Sequence, residues 1–119
     1  MKLQESGEMY LEAILVLGEQ AEAVHSVDVA TYLKVTKPSV SRAMSNLKVA
    51  GYLTMSPDGS IKLTARGKKK AASVYDRHVT LTKFLESLGV DKKTAADDAC
   101  RIEHVISNKT FSQIKSHIE

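Results

Sequence analysis

Apolar residues recur at helical spacing from the start of the chain. Tyr10, Ala13, Ile14 and Leu17 fall on one face and Gly18 follows them, which predicts an amphipathic helix over residues 6–18. Ser26 offers a hydroxyl N-cap to a short second helix carrying Val29, Ala30 and Leu33, with Asp28 near its positive end. A turn at Lys34 to Thr36 leads to a third helix that Thr36 caps. Pro38 stands in the first turn of that helix, where a missing N–H costs little, Val40, Met44 and Leu47 form its inner stripe, and Gly51 ends it. The period then shortens. Tyr52 to Met55 and Ile61 to Leu63 flank the turn-forming run Ser56-Pro57-Asp58-Gly59-Ser60, which predicts a β-hairpin. Thr64 caps a long helix with a wide apolar side, from Ala71 to Leu88, closed by Gly89. A fifth helix is expected from Lys92 to Ile106, and a sixth from Asn108 onward with Phe111, Ile114 and Ile118 as its stripe.

Three helices followed by a two-stranded hairpin is the order of a winged helix-turn-helix, whose third helix enters the major groove of DNA. The expected fold is therefore mainly α. Residues 1–65 form a winged helix-turn-helix with a small β-hairpin wing, and residues 66–119 a helical domain.

Charge sharpens this picture. The net charge of +3 is unevenly placed: residues 34–70 hold nine Lys and Arg against the single acid Asp58, so that stretch carries +8 and the remainder −5. A basic segment of this kind suits a polyanion, though a solvated surface has the same composition. With Val40, Met44 and Leu47 facing inward, Lys37, Pro38, Ser39, Ser41, Arg42, Ser45 and Asn46 are left on or near the outer side of the third helix. Arg42 is the best candidate for a base contact, because its planar fork of donors matches a base edge. Lys62 on the hairpin and Arg66 beyond it also flank the groove-reading element, and Lys68, Lys69 and Lys70 at the start of the long helix suit phosphate contacts. No residue of this stretch promises catalysis.

The 119 residues, 43% of them hydrophobic, suffice for one modest core or two small ones. No apolar run approaches the roughly 20 residues of a bilayer span, and the opening MKLQESGEMY lacks the apolar centre of a signal peptide. A cytoplasmic protein without a membrane partner is expected. The lone Cys100 excludes an internal disulfide. It stands at i to Glu103 at i+3 and His104 at i+4, so the three project from one helical face as a thiol, a carboxylate and an imidazole. That donor set suits Fe(II), Zn(II), Co(II) or Ni(II) better than Mg or Ca. Met9 and Glu12 on the first helix and His78 on the long helix are further candidate donors. Each also has a structural reading: Met9 as core filler, Glu12 as a solvated charge, His78 as a hydrogen-bonded ring, and Cys100 as a buried residue.

The runs EMYLEAI (8–14), VTKPSVSRAMSNL (35–47), LTARGKKKA (63–71), YDRH (75–78) and ACRIEHVIS (99–107) together resemble the diphtheria-toxin-repressor family of metal-dependent transcriptional regulators, over nearly the whole chain. The resemblance implies a metal-activated repressor that acts as a homodimer on an inverted-repeat operator, with metal-uptake genes as targets. It places Met9, Cys100, Glu103 and His104 at the activating metal site of the iron-responsive branch. Glu12 matches the manganese-responsive branch, and His78 a ligand position used in both. Where the manganese branch has carboxylates this chain has the sulfur donors Met9 and Cys100, so Fe(II) is favoured, with Mn(II), Zn(II), Co(II) and Ni(II) as alternatives. The remaining positions of the family's ancillary metal site are Thr82 and Ala96 here, which do not supply its usual ligands. The short architecture resembles members without the small barrel domain, and Pro57-Asp58-Gly59 stands where relatives often carry a wing-tip Arg. Two rivals have different consequences. One is a winged-helix regulator that does not sense metal, with Cys100 structural or redox-sensitive. The other is a metal-buffering or metal-transfer protein that binds no DNA.

Overall fold

A computed structural model of the chain describes residues 5–118. The first residues of the opening segment, read above for a leader, lie outside that range. The described residues form six helices and one two-stranded antiparallel sheet, in the order α1 (Glu5–Gln20), α2 (Ser26–Leu33), α3 (Lys37–Val49), β1 (Leu53–Met55), β2 (Ile61–Leu63), α4 (Ala65–Ser87), α5 (Lys92–Ile102) and α6 (Asn108–Ile118). This is the mainly α winged-helix architecture expected from the pattern. None of these helices is long and apolar enough to cross a membrane.

The chain divides into two compact units, residues 1–72 and 73–119. The sequence pattern drew the division after residue 65. The first two turns of α4 account for the difference, because they are tied to the hairpin. Thr64 caps α4 by accepting a bond from the Gly67 amide (3.1 Å) while its own hydroxyl donates to the Gly51 carbonyl (2.7 Å). Gly67 lies so close to the backbone of Tyr52 that a Cβ there would stand 1.9 Å from the Tyr52 carbonyl oxygen. Ala71, fully buried, belongs to the same core as Leu11, Val29, Val40, Met44 and Leu53.

Helix-turn-helix geometry rests on local chemistry. At the start of α2, the Asp28 carboxylate accepts a bond from the His25 amide (2.9 Å), so the N-cap is His25, one residue before the expected Ser26. An acid three residues into the helix reaches back to the cap amide, which fixes the boundary more firmly than an isolated serine hydroxyl. Lys34 turns the chain with φ 58°, in the left-handed region, and Thr36 caps α3 by accepting from the Ser39 amide (3.3 Å). Pro38 occupies the first turn, and Val40, Met44 and Leu47 are buried as expected.

The wing pairs Leu53 with Leu63, Thr54 with Lys62 and Met55 with Ile61. Its turn is closed by the Asp58 carboxylate, which accepts from the Ser60 amide (2.9 Å) and hydroxyl (2.7 Å); these bonds hold its carboxyl below the usual aspartate value. Gly59 supplies the φ of 86° that the turn needs. Val24 joins as an isolated bridge to Ile61.

Two helix ends differ from the pattern. Gly18 does not stop α1, which continues to Gln20, with the Ala21 amide still bonded to the Leu17 carbonyl (3.1 Å). A helical glycine costs only about 1 kcal/mol relative to alanine, too little to end a helix whose inner face is buried on Leu11 and Ile14. Helix α5 ends at Ile102 and not at Ile106: Glu103 is its C-cap, residues 103–105 form a turn and Ile106 a bend. The carbonyls of Glu103 and Ile106 are taken by the Arg77 side chain, which halts the helical ladder at that point.

In the second unit, Val74, Leu81, Ala95 and Ala99 are buried, together with the polar Thr80 and the carboxylate of Glu103. Asp91 caps α5 through the Thr94 amide (3.0 Å), and α6 contains no fully buried residue.

Candidate metal centre and nucleic-acid interface

Cys100 projects from the last turn of α5, and Glu103 and His104 from the turn that follows. Although the helix ends between them, αR geometry continues through Glu103, so the one-face spacing survives. One ligand atom from each of the three lies within 4.8 Å of the others. Glu103 is 0% exposed, and neither of its carboxylate oxygens accepts a hydrogen bond. His104 Nε2 stands 3.5 Å from Oε1, and His78 Nδ1, from α4, stands 3.5 Å from Oε2. His104 is nearly as deeply buried as Glu103, whereas the Cys100 side is open to solvent.

Withdrawing a carboxylate from water costs several kcal/mol unless donors or a counter-charge replace the lost hydration. Here an imidazole nitrogen stands 3.5 Å from each oxygen of Glu103. The thiol, carboxylate and imidazole of Cys100, Glu103 and His104 make a borderline-soft donor set, and His78 faces the carboxylate's other oxygen. The residues therefore fit a divalent transition metal. Thr82 donates its hydroxyl to the His78 carbonyl (2.7 Å), and Ala96 offers no donor atom, so neither adds a ligand to this group. Met9 and Glu12 lie three residues apart on α1 in the first unit, Met9 packed against that unit's core and Glu12 half-buried.

Sequence reasoning missed Arg77. Its Nη1 donates to the carbonyls of Glu103 (2.9 Å) and Ile106 (2.8 Å), its Nη2 donates to Asn108 Oδ1, and its guanidinium lies 5.4 Å from the centre of the Phe111 ring. Beside it on α4, Asp76 pairs with Lys115 of α6 at 2.9 Å. The only signal in the sequence was the Arg that precedes His78, and helical spacing cannot say which carbonyls an arginine will reach.

On the first unit, Lys37, Pro38, Ser41, Arg42, Ser45, Asn46 and Lys48 are all exposed along α3. Ser39 is half-buried and accepts a bond from the Thr36 hydroxyl (2.8 Å), so it is partly engaged in capping. Lys62 is exposed on β2, and Lys68 and Lys69 on the first turns of α4. Two cations in the basic stretch are engaged within the unit. Arg66 lies 4.4 Å over the Tyr52 ring and donates to the Ala50 carbonyl (2.9 Å), while Lys70 pairs with Glu8 at 3.1 Å. Lys70 is one of the lysines expected to contact phosphate, and Arg66 one of the cations expected to flank the groove-reading helix. Arg66 instead fastens the start of α4 to the end of α3.

Residues 2–61 match the family described as iron dependent repressor, N-terminal DNA binding domain, and residues 64–119 that described as iron dependent repressor, metal binding and dimerisation domain. An HTH-type transcriptional regulator of Methanocaldococcus jannaschii is 33% identical over 119 residues, spanning 98% of this chain and 95% of that one. The transcriptional regulator MntR of Escherichia coli is 33% identical over 106 residues, 89% of this chain and 68% of MntR. The diphtheria toxin repressor of Corynebacterium glutamicum is 32% identical over 108 residues, 90% of this chain and 47% of the repressor. Among solved structures, that of the manganese regulator SloR superposes with a TM-score of 0.85 at 24% identity, covering 99% of this chain and 54% of SloR, a likeness of fold. The chain thus spans about half the length of the last two proteins.

Proposed function

Because the chain belongs to the iron-dependent repressor family of metal-dependent transcriptional regulators, we propose that it is a DNA-binding repressor activated by Fe(II), with metal-uptake genes as its targets. The observation that carries this reading is the buried Glu103 carboxylate, bare of hydrogen bonds and set among Cys100, His104 and His78. A bound divalent ion supplies the positive charge that balances Glu103 and the Cys100 thiolate. Cys100 and His104 provide the soft and borderline donors that favour Fe(II) over Mn(II). Following the family resemblance, Met9 and Glu12 of α1 complete the ligand set. Glu12 and the similarity to MntR keep Mn(II) as the second ion, ahead of Zn(II), Co(II) and Ni(II).

On the DNA side, α3 is the groove-reading helix. Arg42 reads a base edge, Ser41 and Asn46 supply shorter hydrogen-bonding groups, and Lys37, Pro38 and Ser39 lie where the helix N-terminus approaches phosphate. Lys62 contributes from the wing. Two copies form a homodimer in the cytoplasm and read an inverted repeat whose half-sites are separated by about one 10-bp turn or a multiple of it. Metal raises DNA affinity only by binding the DNA-competent arrangement more tightly, and operator DNA must then tighten metal binding by the same factor.

DNA binding by the purified protein to its own upstream region, titrated anaerobically with Fe(II), Mn(II) and Zn(II), tests the proposal. Wild type is expected to bind only with metal, while a Cys100→Ala, His104→Ala variant does not respond. Equal, metal-independent binding by both proteins would keep the DNA role and reject the sensor. The absence of salt-sensitive DNA binding would favour metal buffering.

A further inference from the structure

The metal ligands Glu103 and His104 do not lie inside a helix but in the turn just beyond one, where the backbone carbonyls have lost their helical partners. A ligand turn of that kind holds its shape only if something occupies those carbonyls. The geometry points to Arg77 as the residue that positions the ligands, and this inference rests on the metal-activated reading above. One guanidinium nitrogen bonds the carbonyls of Glu103 (2.9 Å) and Ile106 (2.8 Å), which bracket His104, and the other nitrogen bonds Asn108, the first residue of α6. The ring of Phe111 backs the guanidinium at 5.4 Å.

A planar group with several fixed donors can make these bonds together; a lysine ammonium on its flexible stem cannot reproduce the fork. The positive charge also sits at the negative end of the α5 dipole. Arg77 directly precedes His78, so adjacent residues of α4 supply a donor facing Glu103 Oε2 and the clamp that fixes the Glu103 main chain. Arg77 touches no metal in this scheme. It sets the direction in which Glu103 and His104 present their side chains.

Co(II) is the probe, because its visible spectrum reports both binding and the thiolate-to-cobalt band of Cys100. Arg77→Met is expected to weaken Co(II) affinity by about tenfold to a hundredfold, the range seen when groups that orient metal ligands are removed. It should also reduce the thiolate band while leaving the apo-protein's circular dichroism unchanged. Arg77→Lys, which keeps the charge and serves fewer carbonyls, should fall between Arg77→Met and wild type. Lys115→Ala breaks a different tie between α4 and α6, the Asp76 pair, and should leave affinity and spectrum as in wild type.

Wild-type cobalt affinity and spectrum in Arg77→Met overturn the inference, as does an equal loss in Lys115→Ala, which would mean that any loosening of α6 suffices. If Arg77→Met does not fold, the Lys variant decides: a folded Arg77→Lys with wild-type affinity overturns the inference, and a weakened one supports it. A wild-type protein that gives no cobalt spectrum overturns the metal reading itself, and the inference with it.

Discussion

The two units bury different kinds of side chain. In the first, the large, fully buried residues are apolar: Leu11, Val29, Val40, Met44 and Leu53. In the second, the largest are Leu81 and Glu103, and α6 has no fully buried residue. The first unit can be stabilised by apolar burial, the dominant favourable term in most folds. The second leans on polar fastenings, namely the Arg77 clamp, the Asp91 cap and the Asp76–Lys115 pair. It also contains a carboxylate whose cost falls when a cation is present. A sensor benefits from this division. On the proposed function, the part that meets DNA relies on its own apolar core, and the part that would hold the ion carries the carboxylate that the ion would offset.

The contrast can be broken in four ways. Leu53→Ala should remove about 2–5 kcal/mol of stability through the cavity it leaves beneath the wing, measured by denaturant unfolding. A loss below 1 kcal/mol would mean that the first unit does not depend on its apolar core. Zn(II) at about a hundred times its dissociation constant should add about 2.7 kcal/mol. The accompanying gain in amide protection should fall on α5 and the turn at residues 103–106 and spare α2 and α3; equal gains in both units would erase the contrast. Thr36→Ala should cost about 1 kcal/mol by uncapping α3, and the loss should appear as fraying at the start of that helix in hydrogen exchange.

The smallest expected effect is the pH dependence of the wing turn. The Ser60 amide and hydroxyl lower the Asp58 pKa below its ordinary 3.8. The unfolded chain therefore binds this proton more readily. The turn's contribution is complete above about pH 3.8 and fades as the pH falls through the lower, folded value. Asp58→Asn should flatten the decline of stability with pH in that acid window. An unchanged slope would remove Asp58 as its source.

Much of the fold was legible because the pattern and its punctuation agreed. Thr36, Pro38 and Gly51 bound α3, and Asp58-Gly59 closes the hairpin, each by interactions within a few residues. The errors arose where a distant group intervened or where a punctuating residue proved permissive. Gly18 marks no end, and α5 stops early because Arg77, 26 residues from Glu103, captures its carbonyls. The Cys100, Glu103 and His104 group was readable from spacing, since α5 and the turn after it keep the three on one side. The burial of Glu103 and the fixed use of Arg66 and Lys70 were not readable, because charged residues at helical spacing look alike whether they face solvent or a neighbour.

The engagement of Arg66 and Lys70 has a consequence in counterions. Of the nine cations in the basic stretch, Arg66, though exposed, and Lys70 are already engaged, which leaves Lys34, Lys37, Arg42, Lys48, Lys62, Lys68 and Lys69 for phosphate. A chain that met DNA with all nine would release about eight condensed ions, and one limited to seven releases about six. The steepness with which added salt drives each chain off its operator thus has a lower ceiling than its composition suggests. Affinity lost to salt beyond that ceiling would have to come from cations outside the basic stretch.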